Sequence, residues 1–194
     1  YEAPSSTNLK ANFPDSYEDS LLLYQSKKDS VRAIRLLASM LKKMELDKAY
    51  TQYIQQYILQ TRKAHEGIDD SQFTLRLQTY VFRLQKNIKV LKDLYACFKT
   101  IELDKAGLFV GVNIVGPENN ENALKNYWLH MQMFKLLKQK YPHARLALHA
   151  GELVPALANS EYLQSNIKNA IEIAGAERIG HGVDIAYEKD MANT

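Results

Sequence analysis

Through the second half of this chain, short apolar runs alternate with longer amphipathic stretches, and that alternation restricts the fold more than any other feature. Residues 73–83 put Phe73, Leu75, Leu77, Thr79 and Val81 on one side and Thr74, Arg76, Gln78 and Tyr80 on the other, which is the period of a strand. Ile88, Leu91, Leu94/Tyr95 and Phe98 then restore the helical period. Leu108 to Val115 reads as a buried strand, and Leu124, Tyr127/Trp128, Met131, Phe134 and Leu137 as the next amphipathic helix. A strand over Leu146–His149, a helix over Leu163–Ala174 capped by Ser160, and a last strand ending at Arg178–His181 complete the series. Strands and helices in this order are joined as parallel strands by crossovers, so the expected class is α/β.

The first third has a different texture. Residues 1–70 read as mostly helical and 71–194 as β/α units, within one domain spanning 1–194. From Asp29 to His65 there is no Gly or Pro, and Val31, Ile34, Leu37/Ala38, Leu41 and Met44 share a helical face that Asp29 or Ser30 can cap. Tyr50 to Gln60 is ambiguous, either a second helix or a strand ending at Thr61. If it were a strand, the connection 62–72 would be too short for a crossover helix, which needs about a dozen residues, so either the stretch is helical or sequence is missing between Lys63 and Ser71.

Composition excludes several classes. At 46% apolar and 24% charged residues the chain can bury a core and is not of a disordered type. A net charge of +3, with Lys27-Lys28 and Lys42-Lys43 far apart, does not make a nucleic-acid surface. Cys97 is the only cysteine, so neither an intrachain disulfide nor a Cys-type metal site is expected, and it reads as a small buried filler. No apolar run is long enough to span a bilayer.

Two motifs carry the chemistry. His149-Ala150-Gly151-Glu152 closes the run Arg145–Leu148, and Arg178-Ile179-Gly180-His181-Gly182 follows about one helix later. In parallel β/α folds the reactive groups gather at the carboxyl ends of the strands, which is where both motifs fall. A third segment, Gly111-Val112-Asn113-Ile114-Val115-Gly116-Pro117-Glu118, ends the preceding strand. Its last three residues read either as a ligand contact or as an ordinary strand-to-helix turn, with Pro at a helix start and Glu on the dipole. Asp184 and Glu188 read as solvated loop and helix-start residues, and Asp69-Asp70 as a loop. His65, His130 and His143 belong to no motif, and His130 is expected to be surface or structural. Trp128 and Met131 are expected to face the core.

The wording HAGE followed by RIGHG, together with the Val-Gly-Pro-Glu segment, resembles the adenosine deaminase family over residues 107–188, and leans toward its growth-factor-related branch. The resemblance implies a (β/α)8 TIM barrel, of which this chain would form a part with an α-rich N-terminal portion. It implies Zn2+ as cofactor and a small-molecule purine nucleoside as substrate. It further implies His149 as zinc ligand, Glu152 as the acid that protonates the purine ring, His181 as base and water-orienting group, and Gly116 as a backbone contact to the purine. Asn113 stands where the family usually has Asp. No two of the five histidines are separated by a single residue, and the only Asp-Asp pair, Asp69-Asp70, lies upstream of HAGE rather than downstream of GHG. The family's His-x-His and late Asp-Asp are therefore missing, and the chain is expected to be a fragment that is inactive alone. Deaminases of adenosine monophosphate and other amidohydrolases stay open, as does a non-catalytic ligand-binding or signalling member of the same fold.

Overall fold

The computed structural model describes residues 2–189. Three helices come first: α1 (Asp15–Ser26), α2 (Ser30–Glu45) and α3 (Lys48–His65). Asp29 accepts the Arg32 N–H at 3.0 Å and Asp47 accepts the Tyr50 N–H at 2.9 Å, so a carboxylate satisfies a free donor at the start of both α2 and α3. The ambiguous stretch Tyr50 to Gln60 lies wholly inside α3. Tyr50, Ile54, Ile58 and Thr61 fall at helical spacing and are buried, so burial of one face overrides the β-branched and aromatic content.

The remainder runs β1 (Leu77–Phe82), α4 (Asn87–Leu103), β2 (Phe109–Val115), α5 (Glu121–Lys140), β3 (Arg145–Ala150), α6 (Ser160–Leu163), α7 (Asn166–Glu172) and β4 (Arg178–His181). The sheet has the order β1-β2-β3-β4 with every neighbouring pair parallel, as the alternation requires. The described residues thus form an α/β fold on a four-stranded parallel sheet; among them no closed eight-stranded barrel is formed. No described helix is long and apolar enough to cross a membrane.

Two element boundaries differ from expectation, each for a local reason. The strand expected over 73–83 begins only at Leu77, because side chains intercept the earlier backbone donors. Asp70 accepts the N–H groups of Gln72 and Phe73 at 2.7 Å each, and Asp69 accepts that of Leu75 at 2.8 Å. The first ladder bond is Leu77 N–H to Leu108 O at 2.8 Å. The helix expected over Leu163–Ala174 is split into α6 and α7, and Ser160 is the first residue of α6 rather than its cap. The start of α7 is capped from a distance: the Glu188 carboxylate accepts the N–H groups of Ile167 at 2.6 Å and Lys168 at 3.3 Å.

The core lies between the sheet and its helices. Val81, Val112, Ile114, Leu146 and Leu148 alternate along the strands and are buried against Val90, Leu91, Leu94 and Phe98 of α4 and Met133, Phe134 and Leu137 of α5. Cys97 is 0% exposed, and burial pushes its thiol up to about 12, which makes it an inert filler. Met131 is fully buried, whereas Trp128 is half-buried at the edge of the core. His130 takes the structural alternative: it is 1% exposed, pairs with Asn87 Oδ1 at 3.2 Å, and burial pulls its imidazole down to about 3.

Since Leu91 is 0% exposed at the centre of this layer, Leu91→Ala should cost about 2–5 kcal/mol in denaturant unfolding. Leu59→Ala, at a site 55% exposed, should stay within about 0.5 kcal/mol of the wild type. Equal effects of the two would show that α4 does not anchor the sheet.

Candidate active site

At the carboxyl ends of β2, β3 and β4 lies a cavity of about 480 Å³, lined among others by Val115, Gly116, Pro117, His149, Glu152, Leu157 and His181. That volume suits a small organic ligand. The four residues singled out at this rim, Gly116, His149, Glu152 and His181, therefore share one cavity. The His149 and His181 rings lie 5.0 Å apart between centroids, and His181 Nε2 is 3.7 Å from Glu152 Oε2.

The orientation of His149 follows from Asn113. The Asn113 side-chain oxygen accepts the Ile114 N–H at 2.8 Å and the His149 N–H at 3.1 Å. Both partners are obligate donors, so it is the oxygen end of the amide that faces them. The same oxygen stands 3.0 Å from His149 Nδ1. Nδ1 must then carry the proton, which leaves the Nε2 lone pair free. The His149 imidazole is held below its ordinary value of 6.5, chiefly by burial and next by the electrostatic influence of the neighbouring His181 ring, so it is neutral at pH 7.

His181 reaches the rim by a backbone device. It ends β4 with a φ of +74°, a left-handed conformation uncommon for a residue with a side chain. Gly151 also has a positive φ, +73°, and an added Cβ there would collide with Asp184 Oδ1 and meet Ile167 Cδ1 at 2.7 Å. Gly116, with φ +104°, would press a Cβ to 2.9 Å from Phe82. Only glycine fits these two positions without displacement of the rim.

Beneath the rim lie charged groups whose burial the sequence did not signal. Arg83 is 1% exposed, and its Nη2 donates to His149 O at 2.6 Å and Ile114 O at 3.2 Å. Glu118 does not begin a helix, since α5 starts at Glu121 with Asn120 as its cap. It is 1% exposed and accepts from Gly151 N–H, Glu152 N–H and Asn166 Nδ2. Asp184 and Glu188, expected to be solvated, are instead 0% and 5% exposed. The chain after His181 stays paired to the HAGE loop, through Gly182 N–H to Ala150 O at 3.0 Å and Val183 N–H to Gly151 O at 2.8 Å, and this carries both carboxyls inward. Charged residues beside a glycine-rich motif look like loop residues in sequence, and no local pattern signals their burial.

Among the described residues no group of three His, Cys, Asp or Glu could hold a metal ion. The Nε2 of His149 is available as a single donor, whereas a catalytic zinc takes three protein ligands. No protein-family profile, no curated protein and no solved structure matches the chain.

Burial pushes the Asp184 carboxyl up to about 7 from its ordinary 3.8, reinforced by the negative charges of Glu118 and then Glu188. The folded protein therefore holds this proton more tightly than the unfolded chain does. The associated stability is whole below about pH 4 and is lost as pH rises through about 7. Asp184→Asn keeps the shape and cannot ionise. In thermal melts it should match the wild type near pH 4 and melt increasingly above it as pH rises toward about 7, with the gap levelling off beyond that. A difference that does not change with pH would rule out a proton held at Asp184.

Proposed function

We propose that this protein hydrolytically deaminates adenosine or a closely related purine nucleoside, as a member of the adenosine deaminase family, with its four-stranded sheet forming part of a (β/α)8 barrel. The observation that carries the reading is the convergence of a neutral imidazole, a carboxyl and a second imidazole on one cavity at the ends of adjacent parallel strands. Replacing an amino group on a purine by water needs a proton for the ring nitrogen and a group that takes a proton from water. In this reading Glu152 gives the proton to the ring. His181, 3.7 Å from that carboxyl, orients the attacking water and accepts its proton. Gly116 offers a backbone N–H to the base where no side chain obstructs it.

Zinc belongs to this reading, and His149 is the ligand we assign to it. The described residues supply that one donor and not a complete set, so the remaining ligands are expected from outside them. The neutral state and free Nε2 of His149 suit this role, and the Asn113 contact serves as the outer partner that metal-bound histidines commonly have.

The full-length protein should release ammonia from adenosine, and chelation should suppress the release. Glu152→Gln should lower kcat by about 10²–10⁴-fold with metal content unchanged, since glutamine keeps the shape but delivers no proton. His149→Ala should instead reduce the zinc retained after dialysis, measured by elemental analysis. Saturable adenosine binding without ammonia release would favour a ligand-binding member of the same fold.

A further inference from the structure

The proposed chemistry gives no task to Glu118, yet its carboxylate is fully committed. Oε2 accepts the Glu152 N–H at 2.8 Å, while Oε1 accepts the Gly151 N–H at 3.3 Å and Asn166 Nδ2 at 2.7 Å. The left-handed turn at Gly151 aims two successive N–H groups the same way, a small backbone concavity that selects an anion. The chain from Gly151 to Asn159 is in neither helix nor strand. A turn alone would not need a buried charge here, because burying a carboxylate is costly and a neutral side chain could close it.

We propose that Glu118 is a positioning residue, clamping the peptide between Gly151 and Glu152 so that the Glu152 carboxyl stays at His181 over the cavity. The proposal rests on the deaminase reading for its catalytic consequence and on geometry alone for the clamp. Asn166 is the clamp's brace. It donates to Glu118 from the start of α7, while its own carbonyl accepts the Tyr127 hydroxyl at 2.9 Å.

Glu118→Gln tests this in the full-length protein. The amide has one acceptor and one donor where two N–H groups converge, so one of them loses its partner. Hydrogen exchange at Gly151 and Glu152 should accelerate about ten- to hundredfold while β2, β3 and β4 keep their protection. With adenosine, kcat should fall about ten- to hundredfold with KM within about threefold, because a displaced acid weakens the chemical step more than binding. Asn166→Ala, which leaves the clamped peptide untouched, should show the same pattern at about threefold, and it decides the matter if Glu118→Gln does not fold. Unchanged exchange at both amides overturns the clamp. Wild-type kcat in Glu118→Gln, or a loss of kcat and KM together with protection lost across the whole sheet, overturns the positioning role. If the wild-type protein releases no ammonia from adenosine, the deaminase reading fails and the exchange measurement alone decides the clamp.

Discussion

The carboxyl end of β3 is gripped by buried charge from two directions. Arg83 reaches up from the end of β1 to the His149 carbonyl, and Glu118 closes on the N–H groups of the next turn. Between these contacts the backbone from His149 to Glu152 has little freedom, which is how an irregular loop comes to hold groups at defined distances. Each charge would be expensive to bury alone, and both lie near Tyr127, whose hydroxyl feels Arg83, Glu118, Glu188 and Asp184 together. Removing one partner would leave the others uncompensated. The rim, the start of α7 and the turn after β4 therefore depend on one another.

The same economy appears at Asn113, where one amide oxygen takes the Ile114 N–H within β2, anchors the neighbouring strand and sets a tautomer. A carboxylate at that position would draw His149 toward the imidazolium and raise its basicity. The amide leaves the ring neutral and merely oriented. An amide in place of a carboxylate thus has a chemical direction: His149 is a weaker base here than it would be beside Asp.

The fold was legible where periodicity was long. Four parallel strands and the helices α2, α4 and α5 follow from the spacing of apolar residues alone. Boundaries were less legible, because Asp69 and Asp70 delay β1 through side-chain contacts that period arguments do not contain. Of the rim, the sequence disclosed the motif residues His149, Glu152, His181 and Gly116, because each sits in a short pattern at a strand end. It concealed the burial of Arg83, Glu118, Asp184 and Glu188, since a charged residue gives no local sign of whether the tertiary fold will take it out of water. The cap of α7 was hidden for a related reason: its donors and its carboxylate are about twenty residues apart.

His181 occupies a conformation that costs a residue with a Cβ about 1–2 kcal/mol. The fold bears this strain at the position that brings an imidazole to the cavity, and a residue chosen for comfort at that φ would be glycine or asparagine. Stability and the placement of this imidazole therefore pull the site in opposite directions. A search for thermostable variants, guided by melting temperature alone, would tend to discard the very side chain that the rim presents.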